Sequence, residues 1–222
     1  MSRYTALLGA VAILSASTAP SFGSASAIRL QGGWHHVSPF GEPRCPAWPG
    51  GTGLLTDGDF SRGIDPGTFN YYYVGNSFAQ NWHVSKLSIA LVDGQTYWKA
   101  PNGVCSVDLD GNAWAGAIRT TVATTPSTGY TITFEFSGNG DCGGSHTVRT
   151  LKLQAAGQSE TLTWDTAGGY DSHNGDWLSE SFSFTATASK TSIDFISLDP
   201  KIKPLYEPHC GPVVAAVSVT AG

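Results

Sequence analysis

The chain has 222 residues, 17 acidic and 12 basic, and a formal net charge of −5 at pH 7. That balance offers no basic face for nucleic acid and disfavours an anionic membrane surface. Charged residues make up only 13% of the chain against 11% aromatic, with 27 glycines, a mix common in extracellular β proteins and too aromatic for disorder.

Arg3, an apolar segment from Ala6 to Leu14 and the run Ala25-Ser26-Ala27 make up the basic region, hydrophobic region and A-x-A site of a secretory signal peptide. The predicted organisation is a signal peptide over 1–27, an N-terminal arm over 28–53 and a single β-sandwich domain over 54–222. The apolar run is too short to span a bilayer and no second one follows, so the mature chain is expected to be secreted and extracellular, with no membrane span. Loss of Arg3 leaves 11 basic against 17 acidic side chains, a net charge of −6. About 195 mature residues fit one core.

The arm holds Trp34, His35, His36, Cys45 and Trp48. Adjacent histidines diverge and no third ligand is near in sequence, so they read as part of a surface arm tied down by Cys45 rather than a zinc site. Leu54 to Phe60 reads as the first strand. Its Asp57 and Asp59 lack the twelve-residue pattern of a calcium loop. Tyr71-Tyr72-Tyr73 must point to alternate faces if extended, which leaves at least one tyrosine towards solvent. Trp82 to Val84 and Ser88 to Val92 are short strands, and Asp93-Gly94 is a hairpin signal. Tyr97-Trp98 then precedes Pro101-Asn102-Gly103, at a strand end where sandwich loops gather.

Val104 to Leu109 is the next strand. Asp108 and Asp110 share a face if it continues, and paired carboxylates can cleave a glycosidic bond, although Asp110 lies in an Asp-Gly turn where aspartate is commonplace. Asn112 and Trp114 follow among small residues that leave the indole uncovered. After a strand from Ala117 to Val122 comes the clearest stretch of the chain, Thr128 to Asn139. Tyr130, Ile132, Phe134 and Phe136 alternate there with Thr131, Thr133 and Glu135, the period of a half-buried strand, read as the central strand of a sandwich.

Thr147 to Ala155 and Thr161 to Asp165 alternate too, with Val148, Leu151 or Leu153, Leu162 and Trp164 expected inward. Phe182 and Phe184, then Ile193 and Phe195, belong to two long antiparallel strands joined near Ser189-Lys190. A proline-containing excursion from Asp199 to Pro212 precedes the last strand, Val213 to Thr220. Roughly ten strands, turns every 8 to 12 residues and no amphipathic helix make an all-β sandwich.

Four cysteines in an exported chain admit three pairings. Cys105 opens one strand and Cys142 lies just beyond the stretch Thr128 to Asn139. If those strands are antiparallel, both cysteines lie at one end, and Cys45–Cys210 follows by elimination.

Several pieces, in this order, resemble a known family. They are Leu54-Leu55-x-Asp57-Gly58-x-Phe60; Tyr97-Trp98; Ser106-Val107-Asp108-Leu109-Asp110-Gly111; Thr125-Pro126 before Tyr130 to Phe134; Ser137-Gly138-Asn139; Trp177 with Phe182-x-Phe184-x-Ala186; and Gly211-Pro212 before Val217-Ser218-Val219. Together they resemble the choice-of-anchor C family, which is similar to the plant cell-wall domain family of unknown function. The resemblance covers about 54–220 and implies a galactose-binding-like jelly-roll β-sandwich. It also implies an extracellular, non-catalytic protein associated with wall or secreted polysaccharide. Related carbohydrate-binding sandwiches hold calcium where the first and last strands meet. Here Ser61 and Ala215-Ala216 stand where acidic or amide side chains are usual, so no calcium, other metal or cofactor is expected.

The leading expectation is a non-catalytic carbohydrate-binding or cell-wall-associated protein whose partner is a polysaccharide or glycan. Sugars present apolar C–H faces and hydroxyls, which calls for exposed aromatics beside Asn and Asp. Tyr72, Tyr97, Trp98, Asn112 and Trp114 are the predicted binding residues, with Trp98 and Trp114 in exposed loops and Trp82 and Trp164 in the core. One ring contributes only ~1 to 2 kcal/mol, so several must converge. The alternatives are a module binding a cell-wall protein such as a wall-modifying enzyme, since aromatics also make protein hot spots, or a polysaccharide-cleaving enzyme, for which no H-E-x-x-H or G-x-S-x-G motif is present.

Overall fold

The computed structural model describes residues 45–63, 66–141, 146–200 and 209–222. The expected signal peptide, most of the arm with His35 and His36, and Cys142 lie outside those residues. Among the described residues the chain forms fourteen strands, and no helix is long and apolar enough to cross a membrane.

Twelve strands make two six-stranded antiparallel sheets. The first runs β1 (Phe69–Tyr73), β4 (Ser88–Val92), β5 (Ser106–Asp108), β14 (Pro212–Ala221), β9 (Gly129–Gly138), β12 (Leu178–Thr185). The second runs β11 (Gln158–Asp165), β10 (Val148–Ala155), β13 (Lys190–Ser197), β8 (Ala117–Ala123), β3 (Trp82–Lys86), β2 (Ser77–Ala79). A short hairpin of β6 (Asp110–Gly111) and β7 (Trp114–Ala115) stands beside them. One apolar core joins the inner faces of the two sheets, with Phe134 of β9 meeting Phe195 of β13 edge-on at 5.2 Å. The result is a jelly-roll β-sandwich.

β9 is the stretch whose alternation is clearest in the sequence. Tyr130, Ile132, Phe134 and Phe136 are all buried, and each such side chain contributes roughly 1.5 to 3 kcal/mol. It is not the central strand, however: it lies between β14 and the edge strand β12. Alternation reports which faces are wet, not how many neighbours lie to either side. In β10 the inward set is Arg149, Leu151, Leu153 and Ala155, and Val148 is 39% exposed. A period of two admits one parity only, and the paired leucines hold it.

Phe182 and Phe184 in β12 and Ile193 and Phe195 in β13 all reach the core, yet their strands belong to opposite sheets. β12 pairs with β9, while β13 pairs with β8 and β10. The turn between them crosses the sandwich instead of closing a hairpin. Inward alternation looks the same in either case.

The expected first strand, Leu54 to Phe60, is a chain of turns. Its aspartates bind backbone instead of pairing in a sheet. Asp57 accepts the Arg62 and Gln80 N–H groups at 3.1 and 2.9 Å, and Asp59 accepts those of Ser61 and Trp48 at 3.2 and 2.8 Å. Gly53 and Gly58 dock the segment on β14, where Val217 N donates to Gly58 O at 2.8 Å. A Cβ at Gly58 would collide with the Val217 carbonyl.

Cys45 is bonded to Cys105, with 5.4 Å between Cα atoms. This overturns the expected Cys45–Cys210 and Cys105–Cys142 pairs. Cys45 and Cys105 both lie in the inter-sheet core, whereas Cys210 lines a cavity on the outer face of the first sheet. Side chains on opposite sides of a sheet cannot be bridged. Cys210 is disulfide-bonded as well.

Candidate functional site

The site is built on the outer face of the first sheet. In β4 Ile89 and Leu91 join the inter-sheet core, so Ala90 and Val92 point outward, where they pack with Val213 and Trp98. In β1 the same alternation buries Tyr72 against Phe78, with ring centroids 6.0 Å apart, and turns Phe69, Tyr71 and Tyr73 outward. Tyr72, expected at the site, is therefore a core residue, and Tyr71 takes the outer position.

The Asp93-Gly94 turn opens a long connection between β4 and its antiparallel neighbour β5, not a tight two-residue hairpin. Asp93 Oδ1 accepts the backbone N–H groups of Gln95 and Thr96, both at 2.7 Å, and Trp98 N donates to Asp93 O at 3.2 Å. These bonds curl the chain back over the sheet and lay Tyr97 and Trp98 on the outer ends of β4 and β14. Trp98 is only 2% exposed, so the expectation of an exposed loop tryptophan fails: its small and turn-forming neighbours fold it onto a surface invisible in the local sequence. Its indole N–H donates to His173 Nε2 at 3.0 Å. His173 Nε2 also lies 3.1 Å from Asp141 Oδ1. An indole can only donate, so while His173 accepts from Trp98 it has no proton there for Asp141.

Beside this loop the outer face forms a half-open cavity of about 280 Å³. Its aromatic wall is Phe69, Tyr71, Tyr97 and Trp98 over a floor of Ala90 and Val92. Phe69 meets Tyr71 at 5.4 Å and Tyr97 at 5.6 Å, and Tyr97 stacks on Trp98 at 6.1 Å. The polar wall is Asp108, Asn139, Asp141 and His209. Asn139 holds it together. Its amide nitrogen donates to Asp108 Oδ2 and to His209 O, both at 2.8 Å, and its amide oxygen accepts the Asp141 N–H at 2.9 Å. Asp141 in turn accepts the Tyr97 hydroxyl at 3.2 Å.

Asp108 Oδ1 accepts the N–H groups of Asp110 and Gly211 at 2.8 and 3.0 Å. Those donors favour the anion, but burial first and the neighbouring Asp110 second push its pKa well above the ordinary carboxylate value. Burial, with Asp108 and Asp141 adding to it, also raises the Tyr71 and Tyr97 phenols, and burial lowers His209. The two carboxyls do not face one space: Asp108 lines the cavity, while Asp110 is buried beside Asp199, Ser197 and Arg149, and burial raises its pKa to about 7.

Of the other expected residues, Tyr97 and Trp98 line the cavity; Asn112 and Trp114 are not among the described lining residues. Asn112 donates to the Tyr73 hydroxyl at 2.6 Å, at the end of β1 that pairs with Ser88, while Phe69 pairs with Val92 at the other end. Four strand steps, roughly 13 Å, separate those ends. Trp164 is half-buried against the core, its indole N–H donating to Tyr170 O at 2.8 Å. Nothing in the local sequence marks Phe69, Asp141, His173 or His209. Asn139 and Asp108 carry one local signal, a polar residue closing or interrupting an apolar strand.

Among the described residues no group of three or more His, Cys, Asp or Glu side chains could hold a metal ion. Ala215 and Ala216, at the positions weighed for calcium, lie in an apolar cluster with Ala100 and Val104.

Several solved structures are similar to this chain. A family 35 carbohydrate binding module from Clostridium thermocellum matches at a TM-score of 0.43 and 14% identity over 69% of this chain and 98% of that one. A CBM4 structure matches at a TM-score of 0.43 and 12% identity, over 75% and 99%. A CBM35 in complex with a glucuronic acid containing disaccharide matches at 0.34 and 17%, over 50% and 70%. No curated protein has a matching sequence. The model of DUF642, a family described as protein of unknown function, matches residues 53–220, and the chain belongs to that family.

Proposed function

We propose that the chain is a secreted, non-catalytic carbohydrate-binding protein of the extracellular matrix or cell wall, and that the outer-face cavity is its sugar site. The observation that carries this is the convergence of four aromatic rings with Asp108, Asn139 and Asp141 on one half-open cavity. Rings match the C–H faces of a pyranose, and the carboxyl and amide oxygens match its hydroxyls. At about 280 Å³ the cavity falls just below the ~300 to 1,000 Å³ of ligand sites. That favours one sugar unit or a chain end over a long segment laid flat. Two or three rings at ~1 to 2 kcal/mol each reach the ~4 to 5.5 kcal/mol of a 0.1 to 1 mM site.

The test is a glycan array followed by affinity electrophoresis of the wild type and Tyr97→Ala. Tyr97 is half-buried and lines the cavity, so the variant should lose retention while its melting temperature stays within a few degrees. Retention equal to wild type, or no glycan bound by the wild type, removes the proposal.

A further inference from the structure

The polar wall of the cavity offers more acceptors than free donors, since His209 bonds the Gly111 backbone and burial holds it towards the neutral form. Asn139 has both amide hydrogens engaged, on Asp108 and on the His209 carbonyl. Asp108 and Asp141 contribute carboxyl oxygens, and no lysine or arginine is among the described lining residues. Arg149 donates to the Asn139 carbonyl at 3.1 Å from behind the wall. It faces the Asp199 carboxylate at 3.8 Å and is itself buried. The four rings add their negative π faces to the same space. Asp108 and Asp141 both act on the Tyr71 and Tyr97 phenols, which puts the effect of both carboxyls inside the aromatic wall.

We infer that the cavity selects its sugar by charge, taking neutral and amino sugars and rejecting uronic acids. This rests on the sugar-binding reading above. A hydroxyl donates to a carboxyl oxygen whatever the sugar. An ammonium group donates to the same oxygens and is drawn to ring faces as well. A uronate brings a further anion beside the Asp141 carboxyl and the four ring faces, in a space with no described cation to receive it, and must shed water to enter. Polygalacturonate and glucuronoxylan side groups are therefore poor ligands, and neutral or amino-sugar chain ends good ones.

The experiment is a ligand-observed NMR titration of the oxidised full chain at neutral pH and low salt. The probes are the methyl glycosides of glucose, galactose and mannose, each with its amino-sugar and its uronate counterpart. In any series that binds, the amino sugar should bind at least as tightly as the neutral sugar, and the uronate about tenfold more weakly, equivalent to ~1.4 kcal/mol. Added salt and Asp141→Asn should each narrow that gap, with melting curves recorded to show the variant folded. A uronate bound as tightly as its neutral partner, or a gap unchanged in folded Asp141→Asn, overturns the inference and leaves the sugar site standing. If no member of any series binds, the sugar-binding reading falls and this inference falls with it.

Discussion

The two sheets are equal in strand number and unlike in their outer faces. Along β8 and β10 of the second sheet, buried and less buried residues alternate in the ordinary way. Along β4 every residue is buried, and along β14 the first six are. The loop of Tyr97 and Trp98, the segment of His173 and Trp177, and the chain around Asn139 and His209 gather at the first sheet's outer face. The second sheet has a single apolar side; the first has two over β4, β5 and the first part of β14, and the candidate site lies there. A covered outer face can bury aromatics against small strand residues and still leave a concavity.

If that covering is a true second core, Trp98→Ala should cost as much as Trp82→Ala in the first, roughly 3 to 5 kcal/mol each, measured by urea unfolding. A cost below ~1 kcal/mol for Trp98→Ala would make the covering a loose flap.

Next in size is the pH dependence of the carboxyls buried around Gly211 and Asp199. Burial is the first cause that raises Asp110 to about 7 and Asp199 to about 6. In the unfolded chain both release their protons near pH 4. Between those limits the folded state holds more protons than the unfolded one, so stability falls as pH rises from about 4 to about 7. The melting temperature should be several degrees higher at pH 5 than at pH 8, and Asp110→Asn should flatten the profile. A melting temperature that climbs through this window contradicts it.

Smaller again is Tyr97→Ala, expected to weaken neutral-glycan affinity about tenfold, or ~1 to 2 kcal/mol for one ring, with little change in stability. Trp114→Ala, at the far end of β1, should leave retention unchanged. The smallest effect belongs to the open face: Thr121→Ala in β8 should stay within ~0.5 kcal/mol of wild type.

The all-β class, most strand positions and the buried set of β9 were legible in the sequence, because one wet face and one dry face impose a period of two on the residues themselves. Where both faces are dry, as in β4, the residues carry no mark of which side is the core and which the site. So Tyr72 stood for Tyr71, and Trp98 was expected in solvent. The disulfide partners, the crossing between β12 and β13 and the turns from Leu54 to Phe60 were likewise decided by tertiary structure, since each depends on groups far apart in sequence. Asp57 illustrates the reason: its carboxylate takes the Gln80 N–H 23 residues away, a partner that no local pattern announces. Local chemistry determined which segments extend and which side chains must leave water; only packing determined which segments share a sheet, and hence which aromatics and carboxyls meet around one cavity.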